Sequence, residues 1–296
     1  MTLKEKIESK RFIVCGEIGQ PQSCDGDVIR SKSKYYQGFV DAVNITDNPS
    51  AVVKLSSIAS AKILIEENVE PIMQMTCRDR NRIAIQSDLM GAAALGIRNV
   101  LCLTGDYQKF GDHPEARGVF DLDSIQLIAT VANLNRGFLL SGTEMKKATD
   151  FLIGAAANPF AQPFEMRLIR LHKKIEAGAR FIQTQPVFDL EIFTRWIEKA
   201  VEMGLHEKCA ILAGVMPVKS DKVLLYMKNE VPGVRIDEAY INRMREAEDP
   251  KEEGVKIALE IIKTIKNLKG IRGIHLMPVM WESITPLIVK KAGLSI

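Results

Sequence analysis

The sequence has few of the residues that announce a particular chemistry. Its five cysteines, Cys15, Cys24, Cys77, Cys102 and Cys209, are an odd number at irregular separations, with no CxxC pair. Neither a disulfide framework nor a zinc ribbon follows from them. Cys15, Cys77 and Cys102 each lie in or at the end of an apolar run, where a free thiol serves as a small hydrophobe. Only four histidines are present, His113, His172, His206 and His275, and no spacing among them suggests a metal site. His275 sits inside an apolar run and reads as a core residue. The GxGxxG and Walker loops are missing, as are a nucleophile elbow, a paired cysteine-histidine dyad and a Gly-rich kinase loop. What remains is a reaction in which a cofactor does the difficult chemistry.

Charge of one sign is lacking too. Forty basic and 37 acidic residues leave a net charge of +3, spread along the chain, so nucleic acid is not an expected partner. No apolar run approaches the roughly 18 residues that span a bilayer. The N-terminal MTLKEKIESKRF is not followed by an apolar stretch of the kind a secretory signal needs. The expectation is a soluble protein of a reducing cytoplasm.

With 46% hydrophobic and 26% charged residues, the chain can bury a large core. Its apolar residues fall into eight short runs: 12–18, 42–46, 72–76, 99–103, 151–155, 181–184, 210–215 and 273–277. Most are nearly continuous rather than alternating, as parallel strands covered on both faces require. Helical periodicity fills the gaps, most clearly over 51–67, 80–95, 122–134, 165–177, 190–203 and 251–268. Ser50 stands where an N-cap for the first of these is expected, and Gly96 where a helix exit is. Residues 237–253 read as a surface insertion within a stretch of short helices before the last strand. Eight βα units predict an α/β protein: a (β/α)8 TIM barrel, one domain over residues 1–296, with a doubly wound open sheet as the other arrangement.

In such a barrel the active site gathers at the C-terminal strand ends, so polar residues just after each apolar run are the candidates. They are Glu17 and Gln20; Thr46, Asp47 and Asn48; Thr76 and Arg78; Thr104, Gly105 and Asp106; Asn158; Gln183 and Gln185. Glu17 begins at the mouth beside apolar walls, a placement suited to general acid catalysis; a solvated loop glutamate is the other reading. In Leu103-Thr104-Gly105-Asp106 the glycine lets backbone approach a planar ligand and the carboxylate can bond its polar edge, unless Asp106 only shapes the turn. Gln185 beside Pro186 can both donate and accept, which suits a heterocycle as well as it suits nearby backbone. Arg167, Arg170, His172, Lys173 and Lys174 cluster before the sixth strand, as a phosphate site or as a solvated helix face.

In order and in placement, these segments resemble the catalytic domain of the methylenetetrahydrofolate reductase family. The carriers are Cys15-Gly16-Glu17-Ile18-Gly19-Gln20-Pro21, Asn44-Ile45-Thr46-Asp47-Asn48, Gln74-Met75-Thr76-Cys77-Arg78, Leu103-Thr104-Gly105-Asp106, Asn158-Pro159, Ala177-Gly178-Ala179, Thr184-Gln185-Pro186-Val187-Phe188-Asp189 and Gly214-Val215-Met216-Pro217-Val218. The resemblance implies a flavin across the barrel mouth and a ping-pong hydride relay that turns 5,10-methylenetetrahydrofolate into 5-methyltetrahydrofolate, in one-carbon metabolism serving methionine biosynthesis or an acetyl-CoA pathway. Glu17 matches the general acid, Asp106 the carboxylate near flavin and pterin, and Gln185 the glutamine that bonds the folate. Thr46, Thr76, Leu103, Thr104 and Gly105 match flavin-lining positions, and Asn158, Gln162, Arg170, Lys173 and Lys174 fall where the cofactor's remainder is held.

Bacterial members carry a tyrosine and a histidine near the cofactor where this chain has Asn158 and Gln162, and an acidic residue where it has Arg167. Those departures leave both FAD and FMN open. The aromatic pair that follows the first-strand glutamate in the family is here Ile18-Gly19, so the electron donor stays open between NAD(P)H and a redox partner protein, including an iron-sulfur subunit. The resemblance further implies an oligomer of the short bacterial form without a regulatory domain. Two other readings stand beside it: a flavin-free, pterin-dependent barrel enzyme, and a flavin- or folate-binding subunit of a larger electron-transfer complex.

Overall fold

The computed structural model describes residues 1–231 and 233–294; positions 232, 295 and 296 of the expected single domain lie outside the described residues. Eight strands close into one parallel barrel in sequence order: β1 (Ile13–Ile18), β2 (Ala42–Ile45), β3 (Pro71–Thr76), β4 (Asn99–Leu103), β5 (Leu152–Ala157), β6 (Phe181–Pro186), β7 (Ala210–Val215) and β8 (Ile271–Leu276). The ring shuts where Ile13, Val14 and Cys15 of β1 pair with Gly273, Ile274 and His275 of β8. This is the (β/α)8 barrel, and the open-sheet alternative is excluded. The continuous apolar runs are explained by burial on both faces, since odd and even positions of each strand pack against helices or against the barrel interior.

The helices follow their apolar spacing. In α7 (Leu190–Glu202), Phe193, Trp196, Ile197 and Ala200 are buried at i, i+3, i+4 and i+7, and the Asp189 carboxylate caps the first turn by accepting from Ile192 N at 2.9 Å. In α6 (Phe164–Ala177), Phe164, Leu168, Leu171 and Ile175 form the buried row. Beside it runs a second row, Arg167, Arg170 and Lys174.

Two expectations need correction. The helix after β2 begins at Ser57, not at residue 51: Asn48, Ser50 and Ala51 adopt left-handed backbone (φ 47°, 54° and 58°) in a short 3-10 turn, so Ser50 is no N-cap. Residues 237–253 are also more than a surface insertion. Glu238–Glu246 is helical, buries Ile241 and Met244, and packs between the helices Asp221–Glu230 and Pro250–Ile265. Arg243 ties it to Glu253 and Glu260 of the latter. Among the described residues, no helix is long and apolar enough to cross a membrane.

The N-terminal rim of the barrel is stoppered by α1 (Leu3–Glu8), which periodicity alone did not reveal because only Leu3 is fully buried. Leu3 drops among Ile13, Cys15, Ala42, Ile72, Leu101, Leu152, Phe181, Ala210 and Leu212, all on inward strand positions. Its backbone N–H meets the Glu70 carboxylate at 3.0 Å, and Lys6 pairs with buried Asp41, whose other oxygen takes Val14 N at 2.7 Å. The exposed pair that Lys4 of the same helix makes with Asp150, just before β5, contributes only about 0–1 kcal/mol. The apolar plug therefore dominates the attachment. Leu3→Ala is expected to lower unfolding free energy by about 2–5 kcal/mol, read as a shift of the denaturant midpoint with an unchanged slope.

Candidate active site

With the lower end closed, the open C-terminal rim is where side chains meet solvent. Glu17 is the last inward-facing residue of β1, with its side chain 18% exposed. Its main chain is held from two sides: the Tyr36 hydroxyl donates to Glu17 O at 2.6 Å, and Asn44 Nδ2 donates to Gly16 O at 3.1 Å. Gly16 has to be glycine, because a Cβ there would lie 2.3 Å from the Tyr36 ring. The carboxyl itself receives Gln74 Nε2 from β3 at 3.5 Å, and His275 Nε2 from β8 lies 3.4 Å away. Burial, with the nearby Glu282 carboxylate next, pushes the Tyr36 phenol far up, so it stays a donor.

The loops after β2, β3 and β4 are locked together by buried charge. Asp47 Oδ2 accepts from Thr76 N (2.8 Å), Thr76 Oγ1 (2.9 Å) and Arg80 Nη1 (2.8 Å). Arg78, 2% exposed, forks onto Asp79 and reaches the carbonyls of Asn48 and Asp106 at 3.1 and 3.3 Å. Gly105 closes over it with φ +97°, and a Cβ there would stand 2.9 Å from Arg78 Cβ. Asp106, exposed at the rim, accepts Ser50 N at 2.8 Å, which is what holds the left-handed turn after β2. The hydroxyls of Thr46, Thr76 and Thr104 are spent inside this frame, on Gln20, on Asp47 and on Ser124 N. Thr46 and Thr76 donate their hydroxyl protons inside the frame, whereas the Thr104 hydroxyl only accepts there. Leu103 ends β4 half-buried against the barrel interior.

Across the mouth, Arg167, Arg170 and Lys174 from α6 line a cleft of about 170 Å³ together with Ala156, Ala157, Asn158, Leu171 and Gln185. Lys174 is half-buried, donates to Ala156 O at 2.6 Å, and its ammonium is brought down to about 8, first by burial and then by Arg170. Three cations and no carboxylate in one cleft make an anion-binding surface. The donor set fits a flavin phosphate. Lys173, between two members of the row, points to solvent, and Gln162 is exposed with only its carbonyl engaged, by Arg167 Nη2 at 2.9 Å. Neither lines the cleft. Asn158 does; its Oδ1 accepts Phe160 N at 3.0 Å.

Glu17, Asp106, Gln185 and the cationic row thus share one rim. Sequence reasoning missed Tyr36, which lies outside any strand end, and took His275 as a satisfied core residue. His275 is buried, 4% exposed, but its Nε2 makes no hydrogen bond. The usable signal was parity, since Gly273 and His275 alternate inward on β8 as Cys15 and Glu17 do on β1. Gln183, two residues before Gln185 on β6, is 2% exposed and both its amide atoms are unpartnered.

The profile of the methylenetetrahydrofolate reductase family matches residues 2–293. Methylenetetrahydrofolate reductase 1 of Schizosaccharomyces pombe is 25% identical over 236 residues, 76% of this chain and 36% of that protein. The 5,10-methylenetetrahydrofolate reductase of Pectobacterium carotovorum is 26% identical over 215 residues, 70% of this chain and 64% of that protein. The chain therefore spans a little over a third of the yeast relative's length. In structure it is similar to a Clostridium thermocellum protein that binds two copies of 5-methyl-5,6,7,8-tetrahydrofolic acid, with a TM-score of 0.69 over 98% of this chain and 96% of that one, at 15% identity, a likeness of fold. On the profile match over nearly its whole length, this chain belongs to the methylenetetrahydrofolate reductase family.

Proposed function

We propose that this chain reduces 5,10-methylenetetrahydrofolate to 5-methyltetrahydrofolate with a bound flavin, in a ping-pong cycle. The observation that carries the reading is the Glu17 carboxyl, held at the mouth by Gln74 and beside His275, on the same rim as Asp106 and the cationic cleft. Arg167, Arg170 and Lys174 would hold the flavin phosphate, with the ring reaching from there across the rim toward Asp106. A flavin bound there supplies the hydride.

The chain's own residues do the rest. Turning a methylene that bridges N5 and N10 into an N5-methyl group requires the bond to N10 to break. Glu17 gives its proton to N10 as that bond opens, and N5 is left as an iminium cation. Asp106, negative at the rim, favours that cation electrostatically. Gln185 presents an amide that can donate to and accept from the pterin edge. The likeness to reductases and the strand-end placement favour this reading over a flavin-free pterin enzyme or a non-catalytic subunit.

The deciding experiment takes the purified protein's absorbance spectrum, weighs the released cofactor to separate FAD from FMN, and mixes the reduced protein with methylenetetrahydrofolate. A yellow protein reoxidised by the folate is expected; a colourless preparation with full activity rejects the proposal. Glu17→Gln should keep its flavin and lose about 10²–10⁴-fold in the rate of folate-driven reoxidation. Retention of the full rate removes Glu17 from the role of acid.

Lys174 gives a pH dependence. A bound phosphate raises the ammonium's pKa above its value of about 8 in the free protein. Cofactor affinity is therefore full below pH 8 and declines as pH rises through it. Stability of the ligand-free fold moves the other way, because a lysine depressed from 10.5 favours folding as pH rises from about 8. Flavin titration between pH 7 and 9.5 should show weakening affinity, and Lys174→Met should flatten the profile.

A further inference from the structure

The surroundings of the Glu17 carboxyl are asymmetric. Both neighbouring donors, Gln74 Nε2 at 3.5 Å and His275 Nε2 at 3.4 Å, approach the same oxygen, Oε2. Among the described residues no donor meets Oε1. Gln74 and His275 are 8% and 4% exposed, on inward positions of β3 and β8, so neither can satisfy its N–H in bulk water. His275 Nε2 is buried without any aligned acceptor, and an imidazole nitrogen in that position is either an idle core atom or a donor waiting for charge. Polar contacts of this kind are often long in a resting enzyme and tighten as charge develops.

We propose that His275 is a positioning residue for the acid: as the neutral Nε2–H tautomer, it and Gln74 both donate to Oε2 of Glu17, which holds the transferable proton on Oε1. The inference rests on Glu17 being the proton donor. When the Oε1–H bond breaks, the proton goes to N10 of the folate and the bonding electron pair stays on the carboxylate. Negative charge then spreads onto Oε2, to which Gln74 already donates and beside which His275 Nε2 lies 3.4 Å away. Hydrogen bonds to an ionised oxygen are about twice as strong as neutral ones, so the pair stabilises the acid after proton loss more than before it. Water restores the proton to Oε1 between turnovers, and His275 itself gains and loses none. Fixing the main chain through Tyr36 and Asn44 while fixing one carboxyl oxygen leaves the other a single direction, toward the mouth.

The holoenzyme tests this with two substitutions of opposite chemistry. His275→Gln keeps an N–H donor; His275→Leu keeps bulk and loses it. In His275→Leu the rate of flavin reoxidation by methylenetetrahydrofolate should fall about 100-fold, with folate affinity and the rate of flavin reduction by dithionite unchanged. His275→Gln should stay within about tenfold of the parent. Equal losses in both variants, or a Leu variant as fast as the parent, would overturn the proposal. Nitrogen NMR of the resting protein supplies a measurement that does not depend on either variant folding: His275 should be neutral with its proton on Nε2, and a proton on Nδ1 instead refutes the hydrogen bond. If the parent protein fails to react with the folate at all, the assigned reaction falls, while the NMR result still decides the tautomer.

Discussion

The site depends on the closure of eight parallel strands into one ring. In a parallel barrel every C-terminal strand end faces the same way, and every second side chain points at the axis. The interior is only wide enough to be filled by those side chains. Here the lower part is apolar, built on Ile13, Cys15, Ile72, Leu101, Phe181 and Leu212 and stoppered by Leu3. One pleat further up, the inward positions turn polar, with Asn44, Gln74, Gln183, His275 and Glu17. Buried polar groups must be paired or be paid for in stability, so this layer can hold only side chains that find one another, water or substrate. Glu17 ends at the boundary between the dry interior and the open rim, where a carboxyl can be both oriented by neighbours and reached by a ligand.

The two sides of the rim solve different physical problems. After β2, β3 and β4, the chain uses buried Asp47 and Arg78 as tie points, and each charge is matched by a partner charge or by several hydrogen bonds. An unmatched partner in such a network would be costly, since breaking a buried pair typically destabilises by about 3–5 kcal/mol. That side is a rigid frame, and the strain of three left-handed non-glycine residues is absorbed by Asp106 and Asn48, whose carboxylate and amide oxygens accept Ser50 N and Lys54 N. On the opposite side, α6 places Arg167, Arg170 and Lys174 within one cleft without a counter-charge. Like charges crowded together are unfavourable until an anion arrives, and Arg170 adds to the burial that chiefly lowers the pKa of Lys174. One side is stabilised by its own contacts, the other by what it binds.

The amino-acid order alone determined the eight βα units, while closure of the ring by β1 against β8 was decided by the tertiary structure. Apolar runs separated by amphipathic segments call for a parallel sheet with helices covering its faces, and β4 and β7 run over the same residues as their apolar runs, Asn99–Leu103 and Ala210–Val215. It also determined which residues stand at strand ends, because a polar residue closing an apolar run can only emerge at the rim. Local patterning could not see partners distant along the chain. Only the folded barrel brings Tyr36 under Glu17, Ser50 to Asp106, and His275 from the last strand to the acid on the first, across 258 positions of sequence. Likewise Lys173 and Lys174 look alike in sequence, yet a helix turns each residue by about 100°, so one meets solvent and the other the cleft. Periodicity reports how a segment is buried; the identity of what it is buried against is a property of closure, because register around the ring is set by all eight strands together.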